Sequence, residues 1–170
     1  MAKVGLLSDS HGRAAVTRQA VSMLVEAGAE VLLHLGDIES EKVLDEMVTV
    51  FPGGGVVPVQ VVFGNVDWNA AELARYAEAL GITVAHPVGS LMFDDRELVF
   101  LHGDDRRAMD AAVARGVAWV CFGHTHHPTD ERCGATRLIN PGALHRASTY
   151  TVALLDTTSD QLRFYSVPRE

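Results

Sequence analysis

Five apolar runs in this chain each lead into a residue that can bind a metal ion. The run at 4–7 passes Ser8 and reaches Asp9, with His11 two residues on. The run at 31–35 leads to Gly36-Asp37, and the one at 59–63 to Gly64-Asn65. The run at 98–101 stops at His102, and the one at 119–122 at Gly123-His124-Thr125-His126. Such runs read as strands of a buried sheet. Open α/β sheets bind ligands outside the carboxyl ends of their strands, so the donors are expected to gather on one edge. Three oxygen-bearing side chains (Asp9, Asp37, Asn65) and four imidazoles (His11, His102, His124, His126) are too many for one tetrahedral ion and suit two.

The 170 residues fit one domain, 1–170, with a sizeable core. No apolar run approaches the roughly 20 residues that span a bilayer. Met-Ala-Lys running directly into a strand lacks the long apolar stretch of a signal peptide, so a cytoplasmic address is expected. The formal charge of −8, with Lys and Arg scattered along the chain, argues against a nucleic-acid groove. Two bound divalent ions would offset part of that charge locally and still draw an anionic substrate. Cys121 and Cys133 lack metal-motif spacing and read as reduced, buried thiols.

The first half alternates strand and helix. Val16, Ala20, Met23, Leu24 and Ala27 mark one helical face that ends at Gly28. Ser40 can cap a second helix with Val43, Leu44, Met47 and Val48 facing inward. A third uses Leu73, Ala77 and Leu80 before Gly81, and a fourth uses Met109, Ala112 and Val113 before Gly116. The second half reads as three hairpins: 91–93 with 97–101, 129–133 with 136–139, and 150–155 with 161–167. Two sheets packed face to face with helices outside are expected. The Gly53-Gly54-Gly55 segment lacks a following Gly-Lys-Ser/Thr and reads as a surface loop.

Asp9 and His11, spaced by two on extended chain, would face one ion, and His124 and His126 repeat the spacing. Gly36, Gly64 and Gly123 would let the backbone turn sharply beside the donors. Carboxylate, amide and imidazole without thiolate favour manganese first, with iron, nickel, cobalt or zinc as alternatives. Two such ions, roughly 3.5–4 Å apart, would share a hydroxide that attacks phosphorus in line.

These blocks, DSH at 9–11, GD at 36–37, GN at 64–65, HG at 102–103 and GHTH at 123–126, resemble in content and order the calcineurin-like metallophosphoesterase superfamily. The short chain, the GNVD at 64–67 and Asn140-Pro141-Gly142 are similar to its YfcE-type phosphodiesterase branch, a relative of the retromer subunit Vps29. The resemblance implies a four-layer α/β/β/α sandwich with two mixed β-sheets. It also implies one ion held by Asp9, His11, Asp37 and His126, and another by Asp37, Asn65, His102 and His124. Asp37 would bridge, and Asp37, Asn65 and His124 carry catalytic as well as ligating roles.

One departure narrows the chemistry. Many members have a histidine after Gly-Asn that helps protonate the leaving group, and Val66 stands there. General-acid help is typically worth 10²–10⁴-fold, so diesters with good leaving groups are expected over alkyl monoesters. Phe63 replaces the arginine of the family's protein phosphatases, which speaks against that activity. Asp67 is given a supporting role. A small phosphate ester is the expected partner, with a homo-oligomer left open. The alternatives are a catalytically weak binding scaffold of the Vps29 kind and a small-molecule phosphomonoesterase. Outside the blocks, His34 reads as a core histidine or a support for the donors, His86 as structural and His127 as surface or pocket rim. His145 is a candidate to line the substrate pocket or replace the lost acid, Asp104 a candidate to orient His102, and Trp68 a cleft wall or core residue.

Overall fold

The computed structural model describes residues 2–169. The apolar runs become β1 (Lys3–Leu7), β2 (Val31–Leu35) and β3 (Val59–Val62), separated by helices α1 (Ala14–Glu26) and α2 (Glu41–Met47). Helix α3 (Ala70–Ala79) then leads to the short β4 (Thr83–Val84). The second half supplies β5 (Val88–Phe93), β6 (Arg96–Leu101), α4 (Arg106–Ala114), β7 (Trp119–Cys121), β8 (Thr129–Cys133), β9 (Thr136–Asn140), β10 (Tyr150–Asp156) and β11 (Gln161–Val167). The three expected hairpins all form, as antiparallel β5–β6, β8–β9 and β10–β11.

One sheet has the order β11-β10-β1-β2-β3-β4, the other β5-β6-β7-β9-β8. β1, β2 and β3 run parallel in the first, and β6, β7 and β9 in the second. The last hairpin returns to the first sheet, where β10 pairs antiparallel with β1.

The layers follow from the two-residue period of the strands. Leu6, Leu33, Leu35 and Val62 point from the first sheet onto Leu98, Phe100, Trp119 and Cys121 of the second. Their sequence neighbours Leu7, Leu32 and Val61 face the other way and pack with Val16, Leu24, Leu44 and Leu73 of the first three helices. Val99, Leu101 and Val120 meet Ala112 of α4. Three apolar seams therefore separate four layers, α/β/β/α, and all five donor-bearing strands are buried on both faces.

The helix boundaries match the local chemistry. Ser40 Oγ accepts from Lys42 N at 3.3 Å at the start of α2, and Asp105 caps α4 through Arg107 N and Ala108 N. Val48 departs from the expected inward face. The helix ends at Met47, Val48 turns extended, and its side chain is 43% exposed. Cys133 also departs: it is free but exposed, because β8 is an edge strand, whereas Cys121 is free and buried. The glycines at 53–55 are exposed, as a surface loop requires. No described helix is long and apolar enough to cross a membrane.

Candidate metal centre

The loops that leave β1 and β2 are zipped together by their backbones. Asp9 N donates to Gly36 O at 3.0 Å, His11 N to Asp37 O at 2.9 Å, and Gly12 N to Ile38 O at 3.0 Å. Across the sandwich Gly123 N donates to His102 O at 2.8 Å, joining the loops after β6 and β7. His124 N donates to Asp9 Oδ2 at 3.1 Å and couples the two sheets.

The paired donors do not lie on extended chain. Asp9, His11, Asp37, His124 and His126 all have positive φ, between 44° and 65°. Left-handed backbone is uncommon for residues with a Cβ and gathers at functional sites. The i, i+2 spacing therefore reaches one place because the chain coils tightly around it. Two of the three glycines act differently from expectation. Gly36 has φ 98°, as a sharp turn needs. Gly64 and Gly123 instead provide room: a Cβ on Gly64 would fall 2.1 Å from Asp37 Oδ1, and one on Gly123 would fall 1.9 Å from Ser8 Oγ.

Asp9, His11, Asp37 and His126 offer donor atoms that all lie within 4.8 Å of one another, a grouping able to hold a metal ion. His126 Nε2 is 3.2 Å from Asp9 Oδ1, and His11 Nε2 is 3.6 Å from Asp37 Oδ2. The remaining three residues sit on the other side of Asp37. His102 Nε2 lies 3.3 Å from Asp37 Oδ1 and 3.0 Å from Asn65 Oδ1. The His124 ring meets the His102 ring edge-on at 5.1 Å. Asp37 thus approaches His11 with one carboxylate oxygen and His102 with the other.

Supporting contacts fix the imidazoles. Leu35 O can only accept, so His102 Nδ1 carries the proton that bonds it at 2.7 Å and Nε2 is left toward the centre. Glu39 Oε1 does the same for His11 Nδ1 at 3.1 Å, an arrangement common for metal-bound histidine. Glu39 was missed in the sequence; two residues past Asp37, it looks like any solvated loop acid. Asp104, the candidate for orienting His102, is exposed, and the Leu35 carbonyl has that role. Asp67 does hold the loops: its carboxylate accepts from Ile38 N, Glu39 N and Gly64 N at 2.7–2.8 Å. Asn140 secures the GHTH loop by donating to Gly123 O at 2.7 Å.

Burial pushes the Asp9 carboxyl above the usual carboxylate range. Burial acts the same way on Asp37, but hydrogen bonding and charge from His102 outweigh it and hold Asp37 below that range. Burial also opposes a charged His102, yet its bond to Asp37 pushes the imidazole up to about 9. His34 is wholly buried beneath the first loop, with Nε2 2.9 Å from Ser10 Oγ and Nδ1 accepting from Gly36 N. It is both a satisfied core histidine and a support for the donor loops. His86 accepts from Phe63 N, consistent with a structural role, and His127 is exposed at the rim. Trp68 is 89% exposed, which excludes core packing. His145 lies against His11, ring centroids 5.0 Å apart.

Known proteins resemble the chain over nearly its whole length. A phosphodiesterase of Methanocaldococcus jannaschii, MJ0936, is 24% identical over 95% of this chain and 96% of its own. A probable metallophosphoesterase of Bacillus subtilis, YsnB, is 28% identical over 94% and 88%. Among solved structures, an archaeal phosphodiesterase superposes with a TM-score of 0.83 at 24% identity, covering 97% of this chain and 99% of its own. YfcE of E. coli gives 0.67 at 18% identity over 98% and 100%, and Vps29 of Entamoeba histolytica 0.63 at 17% over 98% and 99%. The family model for the calcineurin-like phosphoesterase superfamily domain matches residues 2–160, and the chain belongs to that superfamily.

Proposed function

We propose that this chain, acting as a single domain, is a metal-dependent phosphodiesterase for small phosphate esters. Two divalent ions, manganese foremost, would be held by Asp9, His11, Asp37 and His126 and by Asp37, Asn65, His102 and His124. The observation that carries this reading is a pair of orphaned atoms. Asp9 Oδ1 and His11 Nε2 are buried without a hydrogen-bond partner among the described residues. Such atoms cost about 1–3 kcal/mol each unless a ligand satisfies them, and both face the same four-donor cluster. The oxygen and imidazole donor set suits a divalent first-row ion. When bound, the ions supply an ionised water near neutral pH and neutralise phosphoryl oxygens.

The chain's own residues supply position. Glu39 and the Leu35 carbonyl present His11 and His102 through Nε2, and Asp67 locks the β2 and β3 loops in register. Val66 contributes its backbone N–H to Asp37 Oδ1 at 3.2 Å, and its side chain has no proton to give a leaving group. Esters whose leaving oxygen departs as a stable anion are therefore the favoured substrates, diesters ahead of alkyl monoesters.

The test is Mn²⁺-stimulated hydrolysis of bis-p-nitrophenyl phosphate, with Asp37→Asn as control. Wild-type protein should turn over and the variant should lose on the order of 10³-fold, as when a principal electrostatic group is removed. Tight metal binding without turnover would favour a binding scaffold instead, and faster monoester hydrolysis would favour a phosphomonoesterase.

A further inference from the structure

The molecule contains two sets of arginines in different electrostatic settings. Arg96, Arg132 and Arg137 lie at the edge opposite the metal centre and meet acids. Arg137 pairs with Asp130 at 2.7 Å and Asp160 at 3.0 Å, Arg132 with Asp160 at 2.5 Å, and Arg96 with Asp160 at 3.9 Å. Arg13, Arg146 and Arg169 gather at the loop over 145–148 and make no ion pair among the described residues; Arg13 reaches the centre through His145, and Arg146 through a cavity shared with His126. In the sequence these cations looked scattered; the fold brings them together. Arg13 and Arg169 both approach the Tyr150 ring, with guanidinium carbons 5.9 and 4.8 Å from its centroid. Arg169 also donates to Ala147 O and Ser148 O and so secures the loop that carries His145 and Arg146.

Arg13 Nε donates to His145 Nδ1 at 2.9 Å. A nitrogen that accepts carries no proton, so His145 presents Nε2–H as a donor, and its ring rests on His11. Arg146 shares a cavity of about 420 Å³ with His126, Ser148 and Thr149. That volume falls within the usual range of small-molecule sites. In a chain of formal charge −8, Arg146 lines this cavity beside His126, Arg13 and Arg169 hold the loop that carries it, and none of the three makes an ion pair among the described residues, so they form a place for negative charge other than the phosphoryl group under attack.

We propose that Arg13, His145, Arg146 and Arg169 form an anion-binding wall that takes a second phosphate of the substrate, so that the preferred diester is of nucleotide size and carries a further phosphate. The proposal rests on the phosphodiesterase reading of the centre. The acidic surface elsewhere and the bounded cavity favour a small molecule over a nucleic-acid strand.

The test compares kcat/KM for a nucleoside p-nitrophenyl phosphodiester with that for the same compound phosphorylated on its free ribose hydroxyl. Wild-type protein with Mn²⁺ should prefer the phosphorylated compound by about tenfold or more, as a charge-assisted contact implies. In Arg146→Gln and Arg13→Gln the ratio should fall toward one. A wild-type ratio near one, with both compounds hydrolysed, would overturn the wall and leave the phosphodiesterase reading standing. A preference that persists in both variants would also overturn it. If neither compound is hydrolysed, the phosphodiesterase reading fails, and calorimetry on the metal-free protein decides the wall. Nucleoside bisphosphate binding about tenfold tighter than monophosphate, with the difference lost in Arg146→Gln, supports it; equal affinities reject it. Tighter binding of a single-stranded oligonucleotide than of the bisphosphate would reject the small-molecule occupant.

Discussion

The two halves of the candidate centre are built to different standards. Left-handed backbone is common to both, but on the Asp9 side Asp9, His11 and Asp37 sit in loops zipped by main-chain hydrogen bonds, with Asp9 fully buried. Glu39 holds His11 from behind, and two donor atoms are left unsatisfied. On the Asn65 side, only His102 is buried and tied to a carbonyl; Asn65 and His124 are exposed. The first half has already lost its conformational freedom on folding, whereas the second must order exposed side chains when it binds. Preorganisation, not the number of donors, is what separates them.

If that contrast governs affinity, metal titration by calorimetry should show two steps, the tighter on the Asp9 side. Asp9→Asn should remove the tight step, a loss on the order of 10³-fold in affinity for a buried charged ligand. Asn65→Ala should weaken only the second. Two equal steps, or loss of the tight step in Asn65→Ala, would break the comparison.

A substitution at Val66 sharpens the chemical side of the contrast. Val66→His places a proton donor beside the exposed half and should raise turnover of an alkyl phosphomonoester by about 10²-fold relative to the aryl diester. An unchanged ratio would mean that leaving-group protonation is not what Val66 removes.

Glu39→Gln leaves every proposed ligand in place but weakens the hold on His11. A loss of about 10–100-fold in metal affinity is expected, confined to the tighter step. An effect on the weaker step would place Glu39 with the other half.

The smallest effect concerns the support beneath the first loop. Burial pushes the His34 imidazole down to about 3, from an ordinary value of 6.5. Between those values the unfolded chain binds a proton that the folded chain refuses, so stability falls as pH drops from about 6.5 toward 3. The slope is roughly 1 kcal/mol per pH unit. Denaturant unfolding of metal-free His34→Gln should show a shallower slope across that window than wild type. Equal slopes would show that His34 does not hold the loop in its neutral form.

The fold was largely legible, because its signals are local. Strand identity followed from apolar runs, helix ends from Ser40, Gly28, Gly81 and Gly116, and hairpins from short polar turns. Val48 was misread because a helical period cannot show that the chain leaves the helix one residue earlier. Cys133 was misread because an edge strand and a central one can have similar local sequences. The donor residues were legible for the same local reason: each follows its strand directly, so the strand that builds the core also delivers the donor.

Determined by the sequence alone were the inventory of donors, their order and their attachment to the ends of buried strands. Only the tertiary structure decided how they converge. The left-handed turns at Asp9, His11, Asp37, His124 and His126, the Glu39 support of His11, and the replacement of Asp104 by a Leu35 carbonyl all depend on neighbouring loops. The gathering of Arg13, Arg146 and Arg169 joins residues more than a hundred positions apart in the chain. A periodic pattern records which face a residue turns to the core. It holds no record of which distant loop stands opposite, since that is set by the packing of two sheets.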